Sequence, residues 1–287
     1  MKSALMFTAH VVVLATLAAA AAVAATRPAP APAAPTEADW RTPDPSNVLV
    51  IDTTKGRVIV ELTPEVAPKS AAQVRELAKA GFYDGRAFFR VIDNFMDQTG
   101  DPTDTGSGGS TRPNLPAEFT FKRDATTPMT LADRQGGREA GFIGPTPVIS
   151  QPIEQAAITA DHTVNGWVTY CPGVVGMARA EEPDSGNSQF FLMRAAQTNL
   201  DQKYTAVGRV IAGMDVVKSI KTGEPVAPPQ DKMTSVRVLA DLPPAQRPQV
   251  RVIDTRGPWF TAMTARVRAE KLVGLSVCDL DLPSQVK

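Results

Sequence analysis

The sequence predicts a mostly antiparallel, closed β architecture with few helices. Three observations lead there: an opening hairpin that is apolar on both faces, a series of short strand-like runs after it, and only two clean helical stripes before residue 242.

The hairpin comes first. Val48, Val50 and Asp52 alternate with Leu49 and Ile51, and Thr53-Thr54-Lys55-Gly56 turns the chain into Arg57-Val58-Ile59-Val60-Glu61-Leu62. A helix follows, with Pro68 suited to its first turn and Gly81 to its stop. Ala71, Val74, Leu77 and Ala78 repeat at helical spacing and form a buried stripe, while Lys69, Gln73, Arg75, Glu76 and Lys79 stay mainly outside it. Ala87–Ile92, Val174–Ala178, Gln189–Met193 and Thr205–Ile211 continue the strand pattern. A short second helix, Met214–Ile220, lies between Gly213 and Gly223, and Ser235–Leu242 is the final strand. Two stretches break this rhythm. Residues 122–170 hold Pro128, Pro145, Pro147 and Pro152 and read as a long insertion with local structure around Gly166–Tyr170. Residues 243–287 read as a C-terminal extension, with a strand-like Gln249–Asp254 and a helix from Trp259 to Leu272.

The N-terminus reads as an address. Lys2 supplies a positive start, Leu5–Ala22 is almost wholly apolar, and Ala22-Val23-Ala24 presents small residues where a signal peptidase inspects. Residues 1–24 are therefore expected to be a signal peptide, giving a secreted protein, periplasmic in a Gram-negative source. The competing reading is an uncleaved anchor, because the apolar run nears the roughly 20 residues that span a bilayer. Residues 25–46 form a Pro/Ala-rich linker, and the folded core would occupy 47–242.

Composition narrows the chemistry. Thirty basic side chains balance thirty acidic ones among 287 residues, so no global field points to nucleic acid, and no stable membrane insertion is expected once the signal is removed. His10 is lost with the signal, which leaves His162 as the mature chain's imidazole, in a stretch without a metal or triad motif. No metal and no cofactor are expected. Cys171 and Cys278 are compatible with a disulfide after export or with two separate buried thiols. Thr105-Gly-Ser-Gly-Gly-Ser110 looks like a phosphate cradle, but it lacks the Gly-Lys-Ser/Thr ending and reads as a flexible loop.

Two segments carry chemistry. Phe88-Phe-Arg-Val-Ile-Asp-Asn-Phe-Met-Asp-Gln-Thr-Gly-Asp101 places Arg90 in an apolar strand, where a charge is costly without partners or a task. Met177-Ala-Arg-Ala-Glu-Glu-Pro-Asp-Ser-Gly-Asn-Ser-Gln-Phe-Phe-Leu192 leads a polar turn into an aromatic strand whose alternation puts Gln189 and Phe191 on one face. Both resemble the cyclophilin family of peptidyl-prolyl cis/trans isomerases, as does Leu200-Asp-Gln-Lys-Tyr-Thr-Ala-Val-Gly-Arg-Val210 leading into Gly213-Met-Asp-Val-Val217. The resemblance covers Asn47 to about Leu242, less the insertion. It implies a closed eight-stranded antiparallel β-barrel capped by two helices, acting as a monomer on proline-containing polypeptides.

Carried over residue by residue, the resemblance makes Arg90 catalytic. It has Phe95, Met96, Phe191 and Leu200 line a proline pocket, gives Gln98 and Gln189 polar contacts, and sets Ala178 and Arg179 beside the neighbouring subsite. Tyr204 stands where many relatives carry His, Asn199 where many carry an aromatic, and Val207 where Phe is common. The Asn199 departure counts against strong cyclosporin binding. The implied task is accelerating X-Pro isomerisation during folding of exported proteins, with a non-catalytic module that binds proline-containing segments as the alternative.

Overall fold

The computed structural model describes residues 33–271 and 274–287. The expected signal peptide and the first part of the linker lie outside the described residues. Among the described residues, no helix is long and apolar enough to cross a membrane.

After a short strand β1 (Trp40–Arg41), the expected hairpin is present as β2 (Val48–Thr53) and β3 (Gly56–Leu62), paired in register from Val48↔Glu61 to Thr53↔Gly56. Helix α1 (Pro68–Lys79) buries Ala71, Val74, Leu77 and Ala78. Gln73 departs from expectation: it is buried, and its Nε2 donates to the carbonyls of Pro113 and Asn187. Helical spacing cannot anticipate a loop 40 residues away folding over that face. Ala67 offers no side-chain cap, so the Glu118 carboxylate takes the Lys69 and Ser70 amides at 3.0 and 2.8 Å, where the helix dipole favours an anion.

Strands β4 (Arg90–Ile92) and β5 (Met96–Thr99) follow. The stretch expected to hold only local structure is instead a five-stranded antiparallel sheet. It comprises β6 (Phe121–Arg123), β7 (Met129–Gln135), β8 (Arg138–Ile143), β9 (Thr146–Ser150) and β10 (Val164–Val168), in the order β6-β10-β9-β8-β7. Its interior explains the weak periodicity, because polar residues are buried there as pairs: Arg123 donates to Glu139 and Ser150, all three inside the protein.

The chain then returns through β11 (Val174–Met177), β12 (Phe190–Met193), β13 (Ala206–Ala212), α2 (Met214–Ser219) and β14 (Met233–Val238). With β2–β5 these make one eight-stranded antiparallel sheet, β14-β2-β3-β13-β11-β12-β5-β4. Its ladder is open between β14 and β4, so the expected closed barrel is corrected to a curled sheet with a seam. The Ala87↔Lys232 bridge and backbone hydrogen bonds from Gly85 to Met233, Met233 to Arg86 and Phe88 to Asp231 cross that seam. A continuous ladder does not form because β4 is only three residues long and the segment beside it contains Pro225, Pro228 and Pro229, which have no N–H to donate.

The tail supplies β15 (Val250–Ile253), α3 (Pro258–Glu270) and β16 (Ser284–Val286), the strands pairing as β1-β15-β16. This answers why the opening hairpin is apolar on both faces. Leu49, Ile51, Val58 and Val60 enter the main core, while Val48, Val50 and Ile59 pack with Val250 and Val252 of the tail. Full burial of such side chains is worth about 1.5–3 kcal/mol each. Phe260 of α3 meets Phe142 of β8 edge-on at 5.5 Å, joining tail to second sheet. Cys171 and Cys278 form a disulfide across 107 residues, deciding between the two readings left open by the sequence. His162 is exposed.

Candidate active site

Register builds the site. Arg90 of β4 pairs with Gln98 of β5, Gln98 with Phe191 of β12, and Phe191 with Gly176 of β11. Directly opposed residues share a face, so one row crosses four strands: a cation, an amide, an aromatic ring and a residue with no side chain. Gly176 is needed there, since a Cβ would collide with the Phe191 ring. Met96, two residues before Gln98, lies on the same face, and Phe95 flanks it from the turn.

The row opens into a cavity of about 110 Å³ lined by Arg90, Phe95, Met96, Gln98, Ala178, Arg179, Phe191, Leu200 and Tyr204. Of the ten residues singled out in the sequence, nine therefore meet at one hollow. Gln189 borders the adjoining, more polar hollow of about 350 Å³, which shares Gln98, Ala178 and Arg179 with the first. Phe191 forms the floor between Tyr170, stacked at 6.0 Å, and Tyr204, edge-on at 5.9 Å. Burial, then the nearby Asp201 and Tyr204, push the Tyr170 phenol well above its ordinary pKa, so the floor is backed by an uncharged ring. Asn199 is exposed, whereas Val207 is wholly buried in the core.

A directional chain of hydrogen bonds holds the polar rim. Arg90 Nη1 donates to Gln98 Oε1 (3.2 Å), Gln98 Nε2 to Gln189 Oε1 (2.9 Å), and Gln189 Nε2 to the carbonyls of Gly106 and Gly108 (3.0 and 2.8 Å). On its other side, Arg90 Nε donates to Glu224 Oε1 at 2.5 Å. Among the described residues nothing takes a hydrogen bond from Arg90 Nη2. Arg179 is held by the carbonyls of Lys203, Ala180 and Glu181 and lies 4.7 Å over the Tyr204 ring.

The glycine-rich loop is not free to cradle a phosphate. The Asp101 carboxylate accepts the amides of Thr103, Thr105, Gly106 and Gly108. Burial alone would push that carboxyl upward, but these hydrogen bonds outweigh it and hold the pKa below the usual value. The loop's part in the site is to present carbonyls to Gln189. Neither those carbonyls nor Gly176 and Glu224 stood out in the sequence. The strand pairing implied Gly176 only once register was known, and Glu224 lies 134 residues from Arg90 in a Pro-rich loop.

Among the described residues, no serine, cysteine or histidine lines the pocket. The arrangement is that of a site which grips an apolar ring beside a fixed hydrogen-bond donor. Residues 48–239 match the family described as cyclophilin type peptidyl-prolyl cis-trans isomerase/CLD. A probable peptidyl-prolyl cis-trans isomerase of Brucella suis is 35% identical over 191 residues, covering 63% of this chain and 74% of that one. Peptidyl-prolyl cis-trans isomerase-like 1 of Gibberella zeae is 30% identical over 197 residues, 67% of this chain and 95% of the relative. Among solved structures, the cyclophilin AquaCyp293 from Hirschia baltica superposes with a TM-score of 0.79 at 38% identity, over 86% of this chain and 93% of that one. The chain belongs to the cyclophilin-type peptidyl-prolyl cis-trans isomerases.

Proposed function

We propose that Arg90 is the catalytic residue of a peptidyl-prolyl cis/trans isomerase and that the small apolar hollow beside it holds the substrate proline. Rotation about an X-Pro bond must disrupt the delocalisation of the nitrogen lone pair into the carbonyl, which sets a peptide-bond barrier of about 18–20 kcal/mol. No covalent bond breaks, so the catalyst has two tasks. Phe95, Met96, Phe191 and Leu200 immobilise the pyrrolidine ring. Arg90 then meets the lone pair that localises on nitrogen as the amide twists, favouring the transition state over either planar ground state.

The observation that carries this reading is a guanidinium whose Nε and Nη1 are held at the pocket rim while its Nη2 has no acceptor among the described residues. Gln98 and Gln189 would contact the substrate backbone. Ala178 and Arg179 would border the residue before the proline, and Tyr204 would offer a polar edge. Arginine suits the central role because it is a permanent cation with a rigid donor fork. A protease-coupled assay on a short prolyl peptide tests the assignment: Arg90→Ala should lose most of the activity, and a rate equal to wild type would leave a binding module.

We further propose an exported form, acting as a monomer on proline-containing segments of exported proteins, whose isomerisation would otherwise take tens of seconds or more. In this reading the isomerase domain spans 47–242, carries an insertion at 122–170, and is followed by an extension. N-terminal sequencing of the mature protein would find Ala25 first; an intact Met1 would count against export by cleavage.

A further inference from the structure

We infer that Glu224 is a positioning residue for the isomerisation, holding the Arg90 guanidinium so that Nη2 faces the prolyl nitrogen. The inference rests on Arg90 being the catalyst. Arginine carries a long, flexible stem, and a donor that must meet one atom in a twisting amide is useful only where its direction is fixed. Gln98 alone tethers Nη1 and leaves the planar group free to swing about that contact. A second acceptor on Nε, on the opposite edge of the plane, removes the swing. Glu224 provides it at 2.5 Å, and it comes from a different part of the chain than Gln98.

The backbone delivers Glu224 with some precision. Gly223 and Val91 exchange both amide hydrogen bonds at 2.8 Å, and the Val226 amide donates to the Phe89 carbonyl at 2.8 Å. Residues 223–226 thus run alongside β4, with Glu224 facing Arg90. The loop is tied further along by Lys221, whose Nζ donates to the Ala227 carbonyl at 2.7 Å and whose amide donates to Asp231. Lys221 is therefore not the partner of Glu224, and Arg90 is the cation with which Glu224 pairs.

Magnitudes separate a positioning role from a structural one. The side chains of Arg90 and Glu224 are 36% and 56% exposed. An ion pair in that setting is largely screened by solvent and adds little to stability, so losing it should hardly move the melting temperature. The opposing effect, damping of the Arg90 field by the carboxylate, is likewise weakened by solvent. Orientation remains as the larger effect, and it appears in turnover.

The test compares Glu224→Ala and Glu224→Gln, each alone and combined with Arg90→Ala, by rate and by melting temperature. Glu224→Ala should lower kcat about tenfold, the scale of one lost hydrogen bond to a charged group, with KM and Tm close to wild type. Glu224→Gln keeps an acceptor oxygen and should recover most of the rate. In the Arg90→Ala background neither change should cost anything more. Wild-type kcat in Glu224→Ala would overturn the inference, and so would a further loss without Arg90 or a Gln variant no better than Ala. If Arg90→Ala alone were fully active, the underlying assignment would fail instead, which is a separable result.

Discussion

The groove and the second sheet are both antiparallel β structure, yet they are held together on different terms. In the groove, four strands contribute one residue each to a single row, Arg90, Gln98, Phe191 and Gly176, and side-chain hydrogen bonds to Gln189, Glu224 and the Gly106 and Gly108 carbonyls finish the rim. The second sheet leans on what comes much later in the chain: Phe260 packs against Phe142 of β8, and Cys278 is bonded to Cys171 in the connection that leaves β10 for the main sheet. One face carries the proposed chemistry; the other region is stabilised by long-range closure and lies outside the candidate pocket.

The largest effect should come from opening that closure. Replacing both cysteines by serine releases a 107-residue loop and should cost up to about 4.8 kcal/mol of stability by chain entropy, read from denaturant melts. Below its melting transition, the variant's kcat/KM should stay close to wild type. A large loss of activity in the folded variant would instead tie this closure to the groove, through Tyr170 beside Cys171 and beneath Phe191.

A cut inside the groove should do the reverse. Phe95 is only half-buried and flanks the pocket, so Phe95→Ala should leave the fold in place while lowering kcat/KM about 10- to 100-fold through lost ring contact. Unchanged steady-state kinetics would remove the pocket from the mechanism.

A pH-dependent effect tests the back of a groove strand. Asp97 sits between Met96 and Gln98 with its carboxylate fully buried, 3.3 Å from Arg194 Nε but without an aligned hydrogen bond. Burial, with the charge of Asp93 adding to it and Arg194 opposing, pushes its pKa up to about 7. Because this folded value lies above the ordinary one, the group's contribution is fullest below about pH 4 and is lost as pH rises toward 7. Wild-type stability relative to Asp97→Asn should therefore fall across that window, by up to ~1.4 kcal/mol per pH unit, and level off above it. A difference between the two proteins that does not change with pH would contradict the assignment.

What could be read in the sequence follows the same division. Arg90 within an apolar strand, the alternation of Gln189 and Phe191, and the stripe of α1 are local signals, and the residues they mark lie where local periodicity puts them. Gln73 was misplaced because its burial depends on a loop after β5. The second sheet was hidden because it buries Arg123, Glu139 and Ser150 as a hydrogen-bonded set, so hydrophobicity does not alternate with its strands. Glu224 was silent for a related reason: its role comes from pairing of Gly223 with Val91, which no pattern near residue 224 encodes.

The central claim is that one guanidinium, aimed into an apolar pocket, accelerates rotation in bound peptide. NMR exchange measurements on a prolyl peptide, with wild type and with Arg90→Ala, address it most directly because they separate binding from turnover. The variant should still bind the peptide with a similar Kd, while cis/trans exchange on the enzyme slows about 100-fold or more. Exchange in the bound state at the wild-type rate would contradict it.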